Sequence, residues 1–415
     1  MRPALIALAA GWVILLVACT APSPAPPAPA TPPVSTTAPT TPPPKATERL
    51  VVWLPDWMWQ DKDAATTELA DTLSAFESAH GVKVEVVRKA AAGDAGLLEF
   101  LTTSAAVAPT ILPDVVVLPL PDAESAAAAG LLQPLDGLLG QDLQTDLFPF
   151  AQDAARTEGG WFAVPFAAWF EHLAFRPAAL TDPPVNWDTV QTASGTYAFP
   201  AAGSEAGLTD ALLVHYLSSV SAGEDPVRNE RALRRTLTFY EQARAANRID
   251  SSTLSAAGPA ETLPRVVEGQ AVMAHVDTSL WLAEGERAPG LRFGPVPTAD
   301  GVPRAIGHGW ALAIVTPDAE RQVLSARLIE QMLAPERLAR WSQAARLLPA
   351  RRSALAAWPA TGYAAFAREG LETAIRPPAW IGDTTFTTSL HRAMLDVLAG
   401  TSDVETALRA AAETW

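Results

Sequence analysis

Residues 115–118 read Val-Val-Val-Leu, with no polar side chain on either alternation. A strand of that composition must be covered on both faces, as in a parallel sheet with helices on each side. The preceding segments suit such a sheet. Residues 49–54, "RLVVWL", form a short apolar, β-branched strand. Leu69, Leu73 and Phe76 then recur at helical spacing ahead of Gly81, a helix C-cap. Residues 82–87, "VKVEVV", alternate as a strand, and residues 95–105, "AGLLEFLTTSA", make a short helix. The β-α-β-α-β order predicts an α/β lobe, with ligands held beyond the carboxyl ends of its strands. Trp57 and Trp59 flank that rim, just past a Pro55-Asp56 turn, whereas Trp53 lies within the strand and is expected in the core.

The chain ahead of this strand has a different character. Arg2 precedes an apolar stretch at residues 4–17, too short to span a bilayer comfortably, and small residues follow. This predicts an export signal over residues 1–18. "LVAC" at residues 16–19 resembles the lipobox of bacterial lipoproteins, which implies cleavage before Cys19 and a lipid on its thiol. Cys19 is the single cysteine, so no disulfide can form within one molecule. Residues 20–46 are almost wholly Pro, Ala, Thr and Ser, a semi-extended spacer reaching roughly 80 Å at most, at ~3.1 Å per residue. Residues 19–47 are accordingly read as anchor plus linker. The remaining chain exceeds the ~250–300 residues at which single cores usually divide, so two lobes are expected. A formal net charge of −15 argues against nucleic acid and against adhesion to an anionic membrane.

Further along, "TYAFPAAG" reads as a strand ending in small residues at 201–203, and helices are expected over 209–221 and 230–246. "EGQAVMAHVDTSLW" runs from a helix end through a strand into a loop, "IGHGWALAIV" is another strand, and a helical pair ends near Pro349. Ser402 with Glu405 predicts a capping box for the last helix.

Taken in order, "VVWLPDW", "PDVVVL", "GLLQPLD", "WFAVPFAAWFEHLAF", "PPVNWDTV", "EGQAVMAHVD" and "LLPARRSAL" resemble stretches of the family 1 extracellular solute-binding proteins of ABC importers, the maltose-binding-protein-like group. The resemblance implies an α/β, two-lobe periplasmic-binding-protein type 2 fold with a hinge and an interlobe cleft. It places lobe one at 48–168 and 308–345, and lobe two at 172–303 and 349–415. The chain would cross between them near 167–172 and 307–310. Two departures stand out. Ala174-Phe175-Arg176-Pro177 replaces the usual Tyr-Tyr-Asn-Lys after the hinge, and Trp281 falls two positions late.

The same resemblance implies capture of a small solute outside the cytoplasmic membrane and its delivery to a permease, by a lipid-anchored protein without a cofactor. A monomer is expected. Trp57, Trp59, Trp169, Trp281, Trp310 and Trp380 fall in segments the family aims at the cleft, where indoles stack on the C–H faces of sugar rings. Asp56, Glu171, Glu205 and Asp277 are the candidate partners for hydroxyls. A cationic ligand in an aromatic, acidic cage is the alternative, and a non-transport sensor lipoprotein would share the fold. No Gly-x-Ser-x-Gly, His-Glu-x-x-His or Walker loop is present, so an enzyme is not expected. His172, His275 and His308 lie near Glu171 and Asp277 on hinge or cleft segments. Their spacing has no metal signature, and no metal is expected.

Overall fold

The first three strands lie side by side and parallel: β1 (Arg49–Pro55) sits between β2 (Lys83–Lys89) and β3 (Val115–Pro119). This computed structural model describes residues 49–415 except positions 62, 94, 158, 204–206, 286, 287 and 289. The export signal, Cys19, the linker and Glu205 therefore lie outside the described residues. Helix Ala64–His80 joins β1 to β2. Its first turn is capped by Asp63, which accepts from the Thr66 amide at 3.1 Å, and Gly81 closes it at φ 65°, a conformation cheap only for glycine.

The Val-Val-Val-Leu run divides its side chains between two apolar layers. Val115 and Val117 pack with Leu50, Val52, Leu69, Phe76 and Ile329 on one face. Val116 and Leu118 pack with Trp53, Leu97, Leu101 and Phe150 on the other. Trp53 is buried, as its place within the strand predicts. The chain next forms a small hairpin, β4 (Arg156–Thr157) with β5 (Gly160–Trp161), and enters β6 (Val164–Trp169).

Beyond β6 a second sheet begins. It contains β7 (Glu171–Phe175), β8 (Tyr197–Ala198), β9 (Met273–Asp277) and β10 (Arg292–Gly294), in the order β10-β7-β9-β8. Helices Asp210–Ser219, Glu230–Ala245 and Thr384–Ala399 bury Leu212, Tyr216, Leu237, Tyr240 and Leu390 with Phe175 and Phe199. The chain then returns: β11 (His308–Ile314) inserts antiparallel between β3 and β6, and β12 (Leu348–Pro349) adds to the outer side of β6. The first sheet thus reads β12-β6-β11-β3-β1-β2.

Three sequence expectations are corrected here. Residues 349–353 belong with lobe one rather than lobe two. Pro349 pairs with Ala167, the Ala350 amide donates to Phe166 O at 2.9 Å, and the Ser353 amide donates to Asp146 at 2.9 Å. Proline is tolerated there because β12 is an edge strand. The segment after β9 is a helix, Thr278–Ala283, not a loop, because Asp277 caps it by accepting from the Leu280 amide at 2.8 Å. The last helix, Val404–Ala412, is capped by Asp403, which accepts from Thr406 N at 2.8 Å, not by Ser402.

Candidate ligand-binding cleft

β1 stops at a proline, and a single 3-10 turn, Asp56–Met58, follows. Met58 is buried and Asp56 exposed, while Trp57 and Trp59 are each half-buried. The Trp57 indole sits 5.2 Å from that of Trp310, ring centre to ring centre, and 6.5 Å from that of Trp341. The turn is therefore pinned to lobe one by aromatic contacts, with part of each tip indole left in solvent.

Trp310 lies on β11, two residues beyond His308. His308 is the register partner of Trp169, and the two rings stack with centres 5.6 Å apart and planes 17° apart. The other side of the imidazole crosses to lobe two, where His308 Nε2 lies 2.6 Å from Asp210 Oδ2 at the start of helix Asp210–Ser219. Burial pushes the His308 pKa down, but the Asp210 charge and hydrogen bond outweigh it, and the net shift is upward from 6.5. A raised histidine pKa stabilises the folded state fully below the unfolded value, and that contribution is lost as pH rises through the raised value. The wild type is therefore expected to hold a melting-temperature margin over His308→Gln at pH 6 that shrinks by pH 9. A margin constant across that range contradicts the ion pair.

One residue past the crossing at Phe170, Glu171 opens β7 directly opposite Asp277 of β9. Its Oε2 lies 3.0 Å from His275 Nδ1. Burial pushes the Glu171 carboxyl well above the usual range, and the negative charges of Asp210 and Asp277 push it further. Asp277 accepts from Ser279 Oγ as well as from the Leu280 amide. His308 thus links Asp210 of lobe two to the Trp169 indole of lobe one, and Asp210 and Asp277 lie close enough to Glu171 for their charges to act on it.

Two tryptophans from the sequence reading sit elsewhere. Trp281, carried inward by the capped helix, is 3% exposed and packs against His172 and Tyr363, with ring centres 5.7 and 5.9 Å away. Trp380 packs on Phe386 and Tyr216 at 5.3 and 6.1 Å within lobe two. The three histidines serve different partners: His172 meets the Tyr363 hydroxyl at 3.1 Å, His275 meets Glu171, and His308 meets Asp210. Among the described residues no group of three or more His, Cys, Asp or Glu is arranged to hold a metal. Asp210 escaped the sequence reading. Thr209-Asp210 looks like any capped helix start with an acidic first turn, and only the lobe crossing brings it to His308.

Residues 71–367 match the family of bacterial extracellular solute-binding proteins. The chain belongs to that family. This solute-binding protein is therefore extracytoplasmic, and no helix among its described residues is long and apolar enough to cross a membrane. Its fold is similar to that of the cyclic α-maltosyl-1,6-maltose binding protein from Arthrobacter globiformis, with a TM-score of 0.69 and 17% identity over 89% of this chain and 98% of that one. The GacH receptor of Streptomyces glaucescens, solved unliganded and with acarbose, gives 0.63 and 17% over 89% and 97%. Maltose-bound MalE3 of T. maritima gives 0.66 and 16% over 88% and 98%. At these identities the likeness concerns the fold. A maltotriose-binding protein of Pyrococcus abyssi is 26% identical over 95 residues, 23% of this chain and only 21% of that protein's length. The family and these neighbours are binding proteins rather than enzymes.

Proposed function

We propose that this solute-binding protein captures an oligosaccharide of the maltose type in the cleft and delivers it to an ABC import permease. The observation that carries this reading is the convergence of half-buried indoles (Trp57, Trp310, Trp169) with Glu171, Asp210 and Asp277 at the lobe crossing. Indole faces suit the apolar C–H faces of pyranose rings, and carboxylates accept from their hydroxyls. The binding of maltose, acarbose and cyclic maltosyl-maltose by proteins of the same fold supports the assignment. Asp56 and Trp59, on the same turn as Trp57, would contact the outer parts of the ligand. Hinge closure follows, because a ligand touching both lobes shifts the population toward the closed form.

A thermal-shift panel tests the reading. Maltotriose and acarbose are expected to raise the melting temperature, and spermidine to leave it unchanged. Stabilisation by spermidine alone would favour the second reading, a cationic ligand. One observation favours that reading: Glu171, Asp210 and Asp277 meet histidine, serine and backbone donors, with no arginine or lysine among those partners.

We further propose that Cys19 carries a lipid anchor. In a detergent phase separation Cys19→Ser is expected to move from the detergent to the aqueous phase. Retention in the detergent phase as complete as that of the wild type contradicts the anchor.

A further inference from the structure

Behind Glu171 a chain of hydrogen bonds runs through the buried core of lobe two. Glu171 Oε2 meets His275 Nδ1 at 3.0 Å, and His275 Nε2 bonds the Tyr197 hydroxyl. The Tyr197 hydroxyl lies 3.2 Å from His215 Nε2, and His215 Nδ1 lies 2.9 Å from the Tyr240 hydroxyl. His275, Tyr197, His215 and Tyr240 are all 0% exposed.

The direction of this chain follows from its far end. The Tyr240 hydroxyl has His215 as its one hydrogen-bond partner among the described residues. A buried O–H left without an acceptor is costly, so Tyr240 donates to His215 Nδ1. A neutral imidazole has one donor and one acceptor. His215 must then carry its proton on Nε2 and donate to Tyr197 Oη. Tyr197 in turn donates to His275 Nε2, and His275 carries its proton on Nδ1 and donates to Glu171 Oε2. Both rings are held neutral by burial, His215 with a pKa of about 3 and His275 well below its ordinary value.

We propose that Tyr240, His215, Tyr197 and His275 are positioning residues that always deliver a donor to Glu171 Oε2, reserving Oε1 for the ligand. Oε2 is occupied as an acceptor whether or not Glu171 is ionised. A proton taken up by Glu171 therefore sits on Oε1, and the residue offers the ligand either an acceptor or a donor at that one atom. The groups facing Glu171 from neighbouring elements are His275 and Asp277 on β9 and Asp210 on the helix opposite. Arg304 and Glu369 line, with Glu171 and His172, a cavity of about 330 Å³ at the hinge. None of these groups supplies a competing donor at Oε2. The role in ligand binding rests on the cleft being the ligand site, whereas the proton arrangement stands without it.

The test is nitrogen-15 NMR of the imidazoles in the ligand-free protein, followed by calorimetry with maltotriose. The wild type is expected to show His275 as the Nδ1–H tautomer and His215 as the Nε2–H tautomer, both unchanged from pH 8 to pH 5. In Tyr240→Phe the terminal donor is gone. Acidification is then expected to turn His275 to the Nε2–H form, as the Glu171 proton moves to Oε2, and maltotriose affinity is expected to fall three- to tenfold at pH 5 with little change at pH 8. Wild-type His275 found as Nε2–H, or titrating between pH 5 and 8, overturns the proposal without needing any variant. A Tyr240→Phe protein whose His275 tautomer and affinity match the wild type at both pH values overturns it also. If neither protein binds maltotriose, the sugar reading fails, and the tautomers still decide the proton arrangement.

Discussion

Replacing Trp169 with alanine is expected to weaken maltotriose binding by ~1–3 kcal/mol, the range for truncating a well-packed aromatic anchor. At ~1.4 kcal/mol per tenfold, that is roughly a five- to 150-fold rise in Kd. Trp169 is half-buried and stacked on His308, with Ala168 and Phe170 buried on either side of it. Its backbone is thus held by β6 whatever the side chain, so the melting temperature should move little. Calorimetry and thermal unfolding of the same variant check both halves. A large drop in melting temperature with unchanged affinity would make Trp169 a packing residue.

The second large effect lies far from the cleft. Asp114 is 2% exposed and joins three elements of lobe one. Its Oδ1 accepts from Arg321 Nε at 2.6 Å, its Oδ2 accepts from the Val51 amide at 2.7 Å, and its carbonyl accepts from the Val315 amide at 2.9 Å. Removing the carboxylate leaves the Val51 amide without its acceptor and the partly exposed Arg321 guanidinium without its partner, which costs ~1–3 kcal/mol. Asp114→Ala is therefore expected to lower unfolding free energy by about that amount in urea, with maltotriose affinity preserved below the transition. A stability loss confined to tenths of a kcal/mol contradicts this role for the pair.

Much of lobe one is legible in the sequence because its signals are local. Four apolar residues at 115–118 require two covered faces, and the structure splits them between two layers. Gly81 ends its helix at positive φ, as a C-cap glycine does. Legibility fails where partners are distant in sequence. Trp281 and Trp57 both follow a strand and an Asp, and nothing local distinguishes them. Asp277 caps a helix that turns Trp281 into the hinge core, whereas Pro55 and Asp56 open a 3-10 turn that leaves Trp57 at the rim. Asp210 and His308 are 98 residues apart, and their contact exists only because the chain crosses between lobes before returning. The Tyr240-to-Glu171 chain is likewise invisible in sequence, because its members come from two helices and three strands.

In the proposed complex a sugar lies against the indoles gathered at the lobe crossing. Intrinsic tryptophan fluorescence, followed while maltotriose is titrated into the wild type and into a Trp57→Phe, Trp169→Phe, Trp310→Phe triple variant, tests it most directly. A saturable shift in the wild type that disappears in the folded triple variant is the predicted result. A shift of the same size and midpoint in both proteins would contradict the account, because the ligand would then be bound away from these indoles.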